Sequence, residues 1–207
     1  MLAGGGERGR LHTGRAPSNV RNPLVPSAPS ACVGGVPAGA QDDSIRVPPG
    51  ASMNILDILS KDAIKVPLDA THKQAAIEEL IDLLSERGIV TDGPSLKKAV
   101  WEREQQRSTG IGEGLAIPHG KSSSAKALRM AIGKPKEPIE FGSIDRKPVR
   151  LIILLVSPAD RIAEHIQALG KVSRLMTNPQ FRTSCYESQS SLEMYELFRR
   201  AEGVTTA

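Results

Sequence analysis

The alternation of hydrophobic and polar positions divides this chain of 207 residues near Met53. Before that point the apolar residues follow no period. After it, short alternating runs give way repeatedly to stripes spaced three and four residues apart. Ile64, Val66 and Leu68 alternate as in a half-buried strand, and Ile77, Leu80, Ile81 and Leu84 form the stripe of a helix lying on a core. Thr71 is the expected N-cap of that helix and Gly88 its end. A second helix is predicted from about Ser95 to Gln106, with Leu96, Ala99 and Val100 turned inward. Leu128 to Ile132 reads as a strand, and Pro138 to Ile144 as an extended or turn region. Val149 to Val156 is almost continuously apolar, as in a central strand covered on both faces. The residues Ser157 to Asp160 break that run and offer caps for a helix carrying Ile162, Ile166, Leu169, Val172 and Met176 on one side. A last helix is expected around Leu192 to Arg200. Strands alternating with helices predict an α/β domain with a mostly parallel sheet.

Residues 1–52 hold nine of the 19 glycines and seven of the 15 prolines. With no apolar period they do not bury enough surface to offset chain entropy. They read as a disordered tail, or as an over-extended start with true initiation at Met53. Their Arg-rich, acid-poor beginning also has a weak likeness to an organellar transit peptide, whereas a secretory signal would need a continuous apolar stretch. The domain is therefore expected over residues 53–203.

Composition narrows the picture. Aromatic residues make up only 3% of the chain, so the core must be aliphatic. Cys32 and Cys185 are far apart and fit neither a disulfide framework nor a metal site, which points to a reducing cytoplasm. No apolar run approaches the roughly 20 residues of a membrane-spanning helix. Five arginines face three acids in residues 1–52, and 22 basic residues face 20 acidic ones in the remainder. Without a concentrated basic face or stacking aromatics, nucleic-acid binding is not expected.

The candidate chemistry sits between Gly110 and Lys121, in the run GIGEGLAIPHGK. It is too rich in glycine for a helix. It lacks both the terminal Gly-Lys-Ser/Thr of a nucleotide-binding loop and the dinucleotide fingerprint. Pro118 fixes the backbone just before His119, and Gly120 leaves space beyond it. A neutral imidazole is nucleophilic near neutral pH, and its N–P bond is labile enough to pass a phosphoryl group onward. Such a group needs donors around it, which arginine, a second histidine and backbone N–H groups supply. A hydrogen-bonded structural histidine fits the same local pattern, and spacing alone does not separate the two readings.

The longer run from Arg103 to Lys121, REQQRSTGIGEGLAIPHGK, resembles the active-site signature of the IIA components of the bacterial phosphotransferase system (PTS). The resemblance is to the fructose/mannitol class and, within it, to the nitrogen-regulatory branch (PtsN). The stretches Pro138 to Val149 and Leu151 to Asp160, and Glu164, His165 and Leu169 on the next helix, extend it from Met53 to the C-terminal helix. It implies a mannitol-IIA-like fold, with a mixed, mostly parallel sheet of about five strands flanked by helices on both faces. It also implies that His119 is phosphorylated on Nε2 by a histidine phosphocarrier protein of the HPr or NPr type. By position, Arg103 would neutralise phosphoryl charge, His165 would contact the group without carrying it, and Thr109, Gly110, Gly112 and Gly114 would shape the pocket. No cofactor and no metal is implied. Glu113 stands where nitrogen-branch relatives commonly have Asn, which is acceptable if the carboxylate points outward.

Two outputs follow from the resemblance: transfer to a IIB domain for sugar transport, or regulation of targets such as potassium transporters and sensor kinases. A third reading, metal-assisted hydrolysis at His119 and His165, lacks an HExxH motif, paired cysteines or a nearby carboxylate set. Outside these motifs, Arg107 reads as a solvated helix-end residue and Lys121 as a solvent or partner contact. His12 and His72 read as incidental. A packed histidine remains a rival for His165.

Overall fold

The computed structural model describes residues 53–203, so the expected tail, His12 and Cys32 lie outside the described residues. After a single 3-10 turn at Ile55–Asp57, the elements run β1 (Leu59–Leu68), α1 (Lys73–Glu86), α2 (Gly93–Gln106), β2 (Gly110–Gly112), β3 (Leu115–Ala116), β4 (His119–Lys121), β5 (Arg129–Pro135) and β6 (Leu151–Ser157). Three helices follow: α3 (Ile162–Thr177), α4 (Pro179–Glu187) and α5 (Ser191–Ala201).

The six strands form one mixed sheet in the order β1-β5-β6-β3-β2, with β4 also on β6. Pairing is parallel for β1/β5, β3/β6 and β4/β6, and antiparallel for β5/β6 and β2/β3. The α/β class and the mixed sheet agree with the expectation. Six strands stand against the expected five or so, and those not placed individually from the sequence are the short β2, β3 and β4, into which the glycine-rich run folds. Strand β6 is the axis: all seven of its residues are buried, as its unbroken apolar run predicted. Helix α1 packs with α2 and reaches β1, β5 and β6, whereas α3, α4 and α5 pack on one another and on β6 and β1. Complete burial of each Leu or Ile side chain in β6 is worth roughly 1.5–3 kcal/mol relative to exposure.

Three local expectations change. The N-cap of α1 is His72, whose Nδ1 accepts from the Ala75 N–H at 3.3 Å, rather than Thr71. Helix α3 has no side-chain cap at its N-cap residue Arg161, so Ser157 to Asp160 break the strand without capping the helix. Its buried face is His165, Ala168, Val172 and Met176, and Ile162 and Ile166 are 52% and 63% exposed. Both stripes fit a helical period. The side facing the sheet carries His165, whose Nδ1 shares a hydrogen bond with the hydroxyl of Ser157 at the end of β6. Helix α4 was not anticipated; the Asn178 side chain caps it by accepting from the Gln180 and Phe181 N–H groups, and Pro179 begins it. Cys185 on α4 is buried, and burial pushes its thiol pKa up to about 12.

Among the described residues no helix is long and apolar enough to cross a membrane.

Candidate functional site

His119 opens β4 and pairs in register with Leu155 of β6. His165 lies one turn into α3, which follows β6 directly, so the two rings meet at the C-terminal end of that strand. Their centroids are 5.5 Å apart, with the planes inclined by 58°. Ligands in sheets of this kind gather at such strand ends. Gly120 allows α2 to pack close to β4, since a Cβ there would lie 2.6 Å from Val100 Cγ2. Arg103 lies one turn beyond Val100 on α2, and its charge acts on His119. The tertiary fold therefore brings together Arg103, His119 and His165 from three separate elements.

The tautomer of His119 follows from its partner. Nδ1 lies 2.8 Å from the Ile117 carbonyl oxygen, and a carbonyl only accepts, so Nδ1 carries the proton. In the neutral ring Nε2 then holds the free lone pair. Burial lowers the His119 pKa first; the bond to Ile117 raises it, Arg103 lowers it, Glu104 raises it and Lys121 lowers it, with a net shift downward. His165 is pushed down to about 4, by burial first and then by the positive charge of His119 and Lys121. Its Nδ1 shares a 2.9 Å hydrogen bond with Ser157 Oγ. Near neutral pH the site thus presents the free Nε2 of His119 beside a second neutral ring and an arginine.

Other expected residues sit differently. Thr109 is buried, and both its N–H and its hydroxyl donate to Glu104 Oε2, at 2.9 and 2.6 Å. Its donors are therefore committed and do not point to a phosphoryl group. Gly110 is packed against Ser143, whose Oγ would lie 2.6 Å from an added Cβ. Gly112 and Gly114 adopt φ +97° and +78° and make the turn between β2 and β3. The register pairs Leu115 with Leu151 and His119 with Leu155. That turn is consequently at the far end of β3 from His119, and its glycines serve the hairpin.

Glu113, in the same turn with φ +53°, is 62% exposed on its side chain and lies 3.4 Å from Arg182 and 3.8 Å from Lys147. It does point outward. Arg107 is the exposed C-cap of α2, and its carbonyl accepts from Arg103 Nη1 at 2.9 Å. Lys121 is exposed.

Two residues beside the histidines escaped the sequence reading. The sequence marks Ser157 as part of a strand break, and Glu104 is not singled out within the run that begins at Arg103. Glu104 is only 2% exposed, and Lys73 Nζ approaches its Oε1 at 3.4 Å. An acid inside an otherwise polar helix segment carries no sequence mark of burial. Among the described residues no group of three or more His, Cys, Asp or Glu side chains is placed to hold a metal ion.

The fold and the site define a class: a mixed α/β protein that presents one neutral, singly nucleophilic histidine at a strand end, beside an arginine and a second histidine. Residues 57–201 match the profile of the family described as "Phosphoenolpyruvate-dependent sugar phosphotransferase system, EIIA 2", and the chain belongs to that family. It is similar to the fructose-specific EIIABC component of Bacillus subtilis, with 33% identity over 67% of this chain; the match spans 22% of that longer relative. The crystal structure of the nitrogen regulatory protein IIA-Ntr from Neisseria meningitidis is 30% identical, with a TM-score of 0.64, covering 69% of this chain and 97% of that one. The Escherichia coli mannitol IIA structure, 24% identical with a TM-score of 0.59 over 68% of this chain and 98% of that one, shares the fold.

Proposed function

We propose that this protein is a phosphohistidine carrier of the phosphoenolpyruvate-dependent phosphotransferase system. Nε2 of His119 attacks the phosphorus held on the histidine of an HPr- or NPr-type phosphocarrier. The donor N–P bond breaks as the Nε2–P bond forms, and the proton stays on His119 Nδ1, which donates it in a hydrogen bond to the Ile117 carbonyl. Arg103 offsets the charge of the phosphoryl oxygens, and the neutral His165 ring contacts them. The chain is a component of a phosphotransferase rather than a stand-alone enzyme, and this reading sets it to work in the cytoplasm. The observation that carries it is the 2.8 Å bond from His119 Nδ1 to a carbonyl, which leaves Nε2 the one free nucleophilic nitrogen of the ring.

Incubation with phosphoenolpyruvate and the upstream components should place acid-labile, base-stable phosphate on the protein. His119→Ala should abolish it, and unchanged labelling of that variant overturns the assignment.

Two destinations compete for the phosphoryl group. Likeness to the fructose-specific component favours onward transfer to a IIB domain. Likeness to the IIA-Ntr structure along nearly its whole length favours phosphorylation as a signal read by regulatory targets such as potassium transporters or sensor kinases. Mixing the labelled protein with a fructose-type IIB domain separates them: rapid loss of label supports transport, and retained label supports signalling.

A further inference from the structure

We infer that Glu104 is a positioning residue for His119, acting through a hydrogen-bonded chain that runs from α2 through two backbone segments to the imidazole. The chain is continuous. Glu104 Oε2 accepts both donors of Thr109, at 2.9 and 2.6 Å. The Thr109 carbonyl accepts from the Ile117 N–H at 3.1 Å. The Ile117 carbonyl accepts from His119 Nδ1 at 2.8 Å. Each link has fixed polarity, since carboxylate and carbonyl oxygens only accept.

Three features make Glu104 the anchor. Its side chain is fully buried, and a buried carboxylate is costly unless its oxygens are satisfied. All of its bonding partners donate: the Thr109 N–H, the Thr109 hydroxyl and the Lys73 ammonium, which also approaches the Phe141 carbonyl at 3.5 Å. Glu104 also lies on a long helix, whereas Thr109 and Ile117 lie beside short strands that hold few ladder bonds of their own. The long helix thus anchors the short segments, and through them the Ile117 carbonyl that dictates the His119 tautomer. Without that carbonyl in place the proton can sit on Nε2 instead, and the nucleophile is lost.

The inference rests on the phosphocarrier reading for its purpose, but its geometry is tested separately. Long-range proton–nitrogen NMR of the full chain reads the His119 tautomer directly, above the pKa of both rings. In the native protein the Nδ1-protonated form should dominate. In Glu104→Gln the amide must present its N–H₂ to either Thr109 or Lys73, so the bond set is broken, and the Nε2-protonated form should rise about fivefold. Thr109→Val, which removes only the hydroxyl, should move the ratio the same way, and Thr109→Ser should restore it. The His165 signals report whether each variant is folded, because the bond to Ser157 is independent of Glu104.

The rate of phosphoryl labelling should fall about tenfold in Glu104→Gln, the order of loss that follows when a nucleophile is misaimed. The groups facing His119 are Arg103 and Glu104 from α2, Lys121 from its own strand and His165 from α3. Loss of the Glu104 charge should therefore also lower the His119 titration midpoint. A folded Glu104→Gln or Thr109→Val protein with the native tautomer ratio overturns the inference, whatever its labelling rate. Absence of label on the native His119 would instead overturn the carrier reading and leave the tautomer result standing.

Discussion

A neutral histidine offers two nitrogens, and only a partner of fixed polarity makes them unequal. For His119 that partner is the Ile117 carbonyl. For His165 it is a hydroxyl, which donates or accepts, so burial rather than a tautomer lock governs its ionisation. With a folded-state pKa of about 4 against the ordinary 6.5, His165 stays neutral in the native protein while the unfolded chain takes up a proton. Between those two values the unfolded state binds more protons, so stability falls as pH falls from 7 towards 4. Its contribution to that loss by pH 5 should be about 1–2 kcal/mol after allowing for solvent. His119 shifts in the same direction and adds to the effect. Thermal unfolding at pH 7 and pH 5 checks this: His165→Gln should show a distinctly smaller drop in Tm than the native chain. An equal drop would mean that His165 is not the source.

At the level of elements, the site depends on how closely α2 approaches β4. The contact is between Gly120 and Val100, where an added Cβ meets Val100 Cγ2 at 2.6 Å and the Val100 Cα at 3.4 Å. Gly120→Ala should therefore destabilise the protein by about 1–3 kcal/mol through overpacking. It should also slow labelling of His119, because α2 carries Arg103 and Glu104. Val100→Ala removes the clashing methyl groups, so the double variant should be more stable than the two single effects predict, by about 1 kcal/mol or more. Additive denaturation midpoints would show that the two elements do not meet in this way.

Much of this level was legible. The stripe Ile77, Leu80, Ile81 and Leu84 and the strand ending at Val156 emerged from periodicity, because their burial is set by a single repeating face. The short strands β2, β3 and β4 did not emerge, since two or three residues hold no period. Both β3 and β4 pair with β6, and β2 pairs with β3, so their placement depends on partner strands rather than on a period of their own. Helix α3 shows the opposite failure: two stripes were compatible with it, and a histidine satisfied by Ser157 took the inward place of an isoleucine.

For the whole molecule, the rotation of α3 has a consequence on the surface. It leaves Ile162 and Ile166 in solvent on the helix that carries His165, 52% and 63% exposed. On the proposed carrier reading, exposed aliphatic side chains on this helix suit docking of the phosphocarrier. Ile162→Ala combined with Ile166→Ala should change stability by no more than about 0.5 kcal/mol, as surface substitutions do. It should raise the KM for the phosphocarrier several-fold. An unaltered KM would place the docking surface elsewhere.

The amino-acid sequence by itself determined the class of fold, the aliphatic character of the core and the central strand, because those depend on local periodicity and residue types along the chain. His119 is singled out as the candidate by likeness to a family signature, since its local pattern also fits a structural histidine. Only the tertiary structure decided which nitrogen of His119 is free and that Thr109 faces Glu104 rather than the reaction centre. It also settled that Gly112 and Gly114 serve a turn at the far end of β3, and that Glu104 is buried. Each of these depends on a hydrogen-bond partner or a packing neighbour supplied by another segment, and such proximity leaves no trace in local periodicity or spacing.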